Sequence, residues 1–500
     1  MRPLSNGPEL KTSLGGDSYL SEPWVPTSPA GMFPTVWVSP GSLAAQEPPV
    51  HTASINGWVA LDDGQLPRLQ FAADDKGRLT HQVFRFPAKF HAPVVRQLIS
   101  TYSKPGERLL DNFCGSGTLM VEASISSRHA VGFDVDPLSV FVAQTKSQPI
   151  DCAALTIAAQ ELLDMLSGLS RGAEEYRQRA KITEDLTDEE FTAQSAGLAM
   201  PAIPRLAFWF RRYVLVDLAR LRDAIDAIDT TAPLRDVLRL VFASIIRAAS
   251  NADPVPVSGL ERTKHIRARD ELGRLIDPFA LYERKLHRTI KDIKAYQALR
   301  SEASVCRVGI ADATQHLPLQ DGERVHAVIT SPPYHGAVDY YRRHQLEMFW
   351  LGLTADQPAR LRLLDRYLGR PHVPQKHRFV LNTDLAAYPQ AARCETAMRI
   401  EAPRRADEFR HYCVGMARAF ARLADVLAVG APAIFIVGRS RWNGHSLDTS
   451  RLLAELARPV FDLDEELWYP VKNRHMSYGR RNGANIDREF VLVFRRTATA

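Results

Sequence analysis

Residues 108–136, RLLDNFCGSGTLMVEASISSRHAVGFDVD, restrict the fold more than any other stretch of this 500-residue chain. Two apolar runs, RLLDNF and AVGFDVD, are too short for buried helices and long enough for strands. Between them, two glycines in three residues break the chain, and GSGTLMVEASIS turns into a helix. Strand, tight turn, helix and strand in succession form a βαβ unit, whose crossover makes the two strands parallel. The glycine turn then lies at the carboxyl end of a strand, where open α/β sheets place their ligands.

Glycine at 115 and 117 lets the backbone approach a ligand closely and leaves the N–H groups of the helix start free. Alone, this spacing suits a dinucleotide, S-adenosylmethionine or a plain tight turn. Asp111 closes the first strand, and Asp134 follows Gly115 by 19 residues, at the end of the next strand. A carboxylate at that spacing takes the two ribose hydroxyls of an adenosine. The third glycine of the dinucleotide fingerprint is missing: the run TLM follows Gly117, and Val121 and Glu122 come after it. An adenosine without a pyrophosphate fits better than NAD.

The rest of the chain extends the same sheet with long interruptions. APVVRQLISTYSKPG predicts a helix stopped at Pro105-Gly106. Residues 151–300 read as an α-helical insertion, with Leu206, Phe210, Val214, Leu218, Leu221, Ile225 and Ile228 recurring every three or four positions. Strands resume in SVCRVGIADA and VHAVITSPPY, and three late ones follow in APAIFIVGRS, DEELWYPVK and REFVLVFRR. The last two are expected to pair antiparallel. The reading divides the chain into an N-terminal arm (1–78), the first half of the core (79–150), the helical insertion (151–300) and the second half (301–353). A basic insertion (354–405) and the C-terminal part of the core (406–500) complete it. Within the arm, SINGWVALDD and PRLQFAAD are expected to form a small strand pair.

Composition excludes several classes. No run of about 18 apolar residues occurs and the N-terminus has no apolar signal region, so neither a membrane span nor secretion is expected. The five scattered cysteines have no CxxC or CxxxH spacing, which argues against a disulfide framework and a zinc site and suits the cytoplasm. No two histidines stand at i, i+4 with an acidic neighbour, so no metal is expected. A net charge of +6 and a pI near 9.0 permit nucleic-acid binding without demanding it.

The stretch VITSPPYHG, residues 328–336, ends an apolar strand in two prolines. Proline fixes the backbone and disfavours helix for the residue before it, so the turn is rigid. An exocyclic amino group on a nucleobase is a poor nucleophile, its lone pair being delocalised into the ring. Two fixed acceptors, the Ser331 hydroxyl and the Pro332 carbonyl held by Pro333, would push it toward tetrahedral geometry, and Tyr334 would stack on the base. Such a pocket closes only on a base that has left the duplex. A structural proline turn is the alternative for these four residues taken alone.

FPAKFHAPVVRQLI, LLDNFCGSGTLMVEA, AVGFDVDP, GIADA and TSPPY, in that order, resemble the amino-type DNA methyltransferases, which methylate cytosine N4 or adenine N6. The resemblance covers roughly residues 80–150 and 300–500 in separate blocks and extends to the closing NRHMSYGRRNGANIDREFVLVFRR. It implies the class I methyltransferase fold, an α/β Rossmann-like sheet of seven mostly parallel strands with the last antiparallel, and S-adenosylmethionine as donor. Carried over by position, Phe86, Pro87, Lys89 and Phe90 would lie against the methionine end of the cofactor. Asp111, Phe113, Gly115, Gly117 and Thr118 would cradle it. Asp134 would bind the ribose, and Asp312 with Ala313 the adenine. Ser331, Pro332, Pro333 and Tyr334 would form the catalytic set. Serine before the prolines is more usual in the cytosine-N4 members, which makes that target the favoured one over adenine N6.

The resemblance also implies duplex DNA as substrate, with a restriction-modification or phage-defence setting and a separate nuclease or defence subunit as partner. It does not show which insertion reads DNA. The second is the more basic, with Arg360, Arg362, Arg366, Arg370, Lys376 and Arg378 close together and able to neutralise phosphates. A solvated helix face is the other reading of these charges. Arg474, His475, Arg480 and Arg481 form a second basic loop, which either guides the flipped strand or caps the last hairpin. Two further readings stay open: an RNA guanine-N2 methyltransferase, and an idle nucleic-acid-binding scaffold on the same fold. Cytosine-C5 chemistry is disfavoured, because no cysteine follows a proline.

Overall fold

A computed structural model of the chain describes residues 66–72, 79–87, 89–254, 260–320, 323–335, 340–369, 385–438, 440–442, 445–471 and 488–498. Its frame is a seven-stranded sheet. The strands are β1 (Arg108–Asp111), β2 (His129–Asp134), β3 (Cys306–Ile310), β4 (Ala327–Thr330), β5 (Pro432–Gly438), β6 (Phe461–Pro470) and β7 (Arg488–Arg496). Their order across the sheet is β3-β2-β1-β4-β5-β7-β6. β1 lies parallel between β2 and β4, with Leu110 opposite Val131 on one side and Val328 on the other. β7 runs antiparallel to both β5 and β6. This is the class I methyltransferase α/β fold, and the terminal antiparallel pair forms as the sequence predicts.

The strand order reverses between β1 and β4, so a crevice forms at their carboxyl ends. Alternation along β1 sends Leu109 and Leu110 to opposite faces. Leu109 packs with Val94, Leu98 and Ile99 of helix α1 (Ala92–Tyr102), whereas Leu110 joins the layer that holds Phe409 and Phe420.

Helix α2 (Thr118–Ile125) follows the glycine turn, and α3 (Pro137–Ser147) follows β2. The start of α3 is fixed by proline at its first position and by Asp136, whose carboxylate accepts from Leu138 N and Ser139 N. Gly117 has φ +72°, and a Cβ there would stand 2.6 Å from the Ala143 Cβ. Only glycine permits this close passage of the turn against α3.

The stretch 151–300 is helical as predicted, with α4 (Cys152–Ser167), α5 (Arg212–Ala227), α6 (Ala232–Ala249) and α7 (Pro278–Leu299) as its main members. Phe210, Val214, Leu218, Leu221, Ile225 and Ile228 of the sequence stripe are buried in its core; Leu206 packs on that core from outside. The same core takes in Leu346, Phe349 and Trp350 of α8 (Gln345–Trp350), which comes shortly after the SPPY turn. α9 (Gln357–Leu364), α10 (Pro389–Glu401), α11 (Pro403–Ala424) and α12 (Thr449–Ala457) complete the described helices that bear on the site.

Of the expected strand pair near the N-terminus, only residues 67–72 of its second stretch are described. Residues 66–72 run beside β6, where Leu69 N donates to Trp468 O at 2.8 Å and the Trp468 indole donates to Leu66 O at 3.1 Å. SINGWVALDD lies outside the described residues.

Candidate active site

An open cavity of about 830 Å³, including its mouth, lies at the carboxyl ends of β1 to β4. Its wall brings together Phe86, Lys89, Phe90, Phe113, Gly115, Thr118, Asp134, Asp312, Ala313, Ser331 and Pro333, all expected at the site from sequence. Pro87, Asp111, Gly117, Pro332 and Tyr334 are not among its lining residues.

Asp111, expected in the cradle, ties two strands together. Its Oδ1 accepts from Thr330 Oγ1 at 2.7 Å and from Phe113 N at 3.2 Å, which fixes the end of β1 to the end of β4. Only 1% of it is exposed, and burial pushes its carboxyl up to about 7. Gly117 serves the packing against α3. Asp134 does reach the cavity. Its Oδ2 accepts from Gly115 N at 2.8 Å and its Oδ1 from Asp136 N at 2.9 Å. Burial first, and the Asp136 carboxylate second, raise its pKa to about 7.

On the next strand, the Asp312 Oδ1 accepts from both Thr314 N at 2.9 Å and Thr314 Oγ1 at 2.8 Å. That leaves its Oδ2 for a ligand. Lys89 anchors its ammonium on His81 O at 2.7 Å. Deeper still, buried Lys146 donates to Ser116 O at 2.6 Å, and burial holds its pKa well below the ordinary lysine value.

The SPPY turn leaves β4 directly beside this cavity. Ser331 and Pro333 face it, and the Ser331 hydroxyl makes no hydrogen bond within the described protein. Tyr334 is set back against β7, its hydroxyl donating to Glu489 Oε1 at 3.3 Å, while Tyr469 donates to the other oxygen of the same carboxylate. His335 is buried edge-on to Phe409, ring centres 5.4 Å apart, which holds the turn on α11.

The basic insertion divides. Arg360 is buried and Arg362 is exposed, while Arg366 lines the cavity beside Tyr367 and Leu368. Arg366 thus stands in the cavity wall and not on an outward phosphate-binding face. Arg370, Lys376, Arg378, Arg474, His475, Arg480 and Arg481 lie outside the described residues.

Sequence reasoning missed several wall residues. Asn112, Cys114 and Ser116 alternate with the glycine-turn positions already singled out, so adjacency was their signal. Asp136 caps α3 and meets His344 Nδ1 at 3.3 Å through its second oxygen. Tyr367 and Leu368 come from a distant segment that carries no motif. Cys114 is buried, and burial pushes its thiol well up, so it is a packing residue of the wall and no nucleophile.

Asn112 and Thr118 stand out chemically. Both are buried, at 1% and 2% exposure, and the amide N and O of Asn112 and the hydroxyl of Thr118 have no hydrogen-bond partner. Each such orphan costs about 1–3 kcal/mol in a free protein. Together with the open carboxylate oxygens, the aromatic rings and the free start of α2, the cavity suits an adenosine joined to a charged polar group. Among the described residues no group of three His, Cys, Asp or Glu is placed to hold a metal ion.

The sequence model of the N6/N4 DNA methylase family matches residues 32–144. That span holds the glycine turn and Asp134, and it begins inside the segment read above as an irregular arm. Type II methyltransferase M.MvaI of Kocuria varians is 23% identical over 312 residues, 60% of this chain and 63% of that protein. Type II methyltransferase M.BsoBI of Geobacillus stearothermophilus is 25% identical over 291 residues, covering 58% and 56%.

The chain is similar to the amino-type DNA methyltransferases.

The matches span less than two thirds of the length of these relatives. Among solved structures, an rRNA methyltransferase, aviRa from Streptomyces viridochromogenes, aligns at 13% identity over 82% of this chain and 88% of its own. Its TM-score of 0.26 is too low to bear on fold or substrate. No helix among the described residues is long and apolar enough to cross a membrane.

Proposed function

We propose that this chain transfers a methyl group from S-adenosylmethionine to the exocyclic amino group of a base flipped out of duplex DNA, cytosine N4 in preference to adenine N6. The observation that carries the reading is the free Ser331 hydroxyl on the rim of the cavity that Asp134 and Asp312 line. An acceptor for an amino group and acceptors for an adenosine share one crevice.

The bound cofactor supplies an electrophilic methyl group on a sulfonium. Asp134 would take the ribose hydroxyls and the Asp312 Oδ2 the adenine amino group, with Ala313 beside it. Phe86, Phe90 and Phe113 would line the apolar parts. On the target side, Ser331 Oγ and the Pro332 carbonyl accept the two N–H groups of the base and draw its nitrogen toward tetrahedral geometry. Attack by the nitrogen lone pair would form the new N–C bond, S-adenosylhomocysteine would leave, and the proton released from the nitrogen would pass to solvent water. The Asp111–Thr330 bond keeps the β1 and β4 ends, and so donor and acceptor sites, in fixed register. Tyr334, held at its hydroxyl by Glu489, offers its ring as the stacking face. Exposed Arg362, with Arg370, Lys376, Arg378, Arg474, Arg480 and Arg481, would meet phosphates, and Arg366 the cavity contents. The likeness to the Type II methyltransferases supports a restriction-modification setting in the cytoplasm, with a separate nuclease, as part of the same proposal.

The test is transfer of labelled methyl from S-adenosylmethionine to duplex DNA, with the product nucleosides identified by mass spectrometry. We expect N4-methylcytosine, reduced about 100-fold in Ser331→Ala while cofactor affinity changes less than about threefold. N6-methyladenine would keep the mechanism and change the target. Label in RNA, or none despite cofactor binding, would overturn the proposal.

A further inference from the structure

We propose that the outer face of the helix Lys264–Glu271 docks the phosphate backbone of the duplex beside the target base, through Lys264, Arg267 and Arg269. The inference rests on the DNA reading given above and adds a surface on the helical block to the basic insertion. Residues 261–300 hold eleven Lys and Arg against six Asp and Glu, and the resulting +5 is most of the chain's net +6. Within that stretch, the helix buries Ile266 and Asp270 and exposes Lys264, Arg267 and Arg269.

These charges are not neutralised from within. Asp270 is engaged on the buried side, where its Oδ1 accepts from Arg274 Nε at 2.7 Å and Arg211 Nη2 at 3.0 Å, and its Oδ2 from Arg262 Nη2 at 3.5 Å. None of the three exposed cations forms an ion pair among the described residues, and Glu271 is the one exposed acid of the helix. Lys264 stands at the first helical position, with no acid in the first turn. The helix dipole favours anions there, so the cation is kept against local stability. Such a surface suits an anionic partner from outside.

The helix start is tied to the rim of the cavity. Thr263 caps it, accepting from Ile266 N at 3.3 Å, and donates to Asp253 Oδ2 at 2.6 Å. Next to Asp253, the Pro254 carbonyl accepts from Arg85 Nη1 at 2.8 Å, and Arg85 adjoins Phe86 of the cavity wall. Arg247 links Asp253 O, at 3.0 Å, to Arg343 O, at 3.4 Å, shortly past the SPPY turn. A duplex that presents a flipped base to Ser331 lies across the mouth bounded by this rim. It carries one charge per about 1.7 Å of its axis, a spacing that three long cations on one short helix can meet.

The experiment is fluorescence anisotropy of a labelled mixed-sequence DNA duplex with the full chain, from about 50 to 200 mM salt. The triple variant Lys264→Ala, Arg267→Ala, Arg269→Ala should bind at least about tenfold more weakly. Its slope of log affinity against log salt should be shallower by about 2–3, as three lost phosphate contacts require. Its affinity for S-adenosylhomocysteine should stay within about twofold, because the changes are on the surface. Lys264→Glu alone should raise the melting temperature, a carboxylate suiting the helix start, and still weaken DNA binding. The control is Lys291→Ala with Lys294→Ala, two exposed cations on α7. There Tyr296 bonds Ser124 at 2.6 Å, at the end of α2 remote from the glycine turn. This variant should change DNA affinity less than about twofold.

Unchanged binding and slope in the triple variant, or a comparable loss in the control, would overturn the assignment. So would a loss seen only with an RNA duplex of the same sequence. Wild type that binds S-adenosylhomocysteine but no DNA would instead overturn the DNA reading itself, and this surface with it.

Discussion

Two carboxyls on neighbouring strands, Asp111 and Asp134, are both raised to about 7 by burial. An unfolded aspartate titrates near about 3.9, so between pH 4 and 7 the native state holds protons that the unfolded chain has released. Stability contributed by these groups is therefore full at low pH and is lost as pH rises through 7. Asp111→Asn keeps the acceptor for Thr330 and Phe113 and removes the charge. It should be about 1–2 kcal/mol more stable than wild type at pH 8 and nearly equal to it at pH 4, by urea denaturation. No gain at pH 8 would mean that Asp111 stays satisfied as an anion. Asp134 makes the opposite trade with its ligand, because ribose hydroxyls donate best to the ionised form. Binding of S-adenosylhomocysteine should tighten up to about tenfold from pH 6 to 8, and Asp134→Asn should weaken binding and flatten that profile.

At the scale of elements, the segment after α9 acts as a clasp over the SPPY turn. Gly369 has φ +70°, and a Cβ there would stand 2.9 Å from the Tyr334 carbonyl oxygen. Gly415 on α11 leaves room for Leu368, whose Cδ2 would lie 2.4 Å from an added Cβ. Gly369→Ala meets rigid backbone and an unfavourable φ together, and should cost about 1–3 kcal/mol with a matching loss of transfer. Gly415→Ala meets only a side-chain tip, so Leu368→Ala should rescue it in a double-mutant cycle on thermal stability; additive losses would deny the contact. None of this is legible in sequence. The βαβ unit announces itself because its strands, glycines and helix are contiguous, whereas Leu368 and Gly415 meet through folding alone. Arginine spacing misleads for a related reason: on a helix, Arg360 and Arg362 point to different faces, so a count of charges cannot say which of them meets water. The position of Asp111 at a strand's end is visible in sequence, whereas its hydrogen-bond partner, 219 residues away, is not.

For the whole molecule, the helical block and the catalytic half of the sheet are joined by one core. Trp350, fully buried, touches Phe210 and Phe242 edge-on at 5.9 and 5.8 Å between ring centres. Trp350→Ala should cost about 3–5 kcal/mol. The loss should appear as a lower temperature for one shared thermal transition, because helices from 151–300 and from beyond SPPY bury the same side chain. Two separate transitions would show the block to be an independent domain. The sequence does announce the helical block through its apolar period, but α8 is six residues long and too short to declare which core it joins.

That shared tryptophan also limits how chains of this kind can exchange parts. A graft that takes residues 151–300 from a relative and leaves 345–351 behind would seat a foreign helix bundle around a side chain it was not shaped to hold. The two stretches lie on either side of β3, β4 and the SPPY turn, yet they form a single cassette, and recombination that preserves the fold must move both or neither.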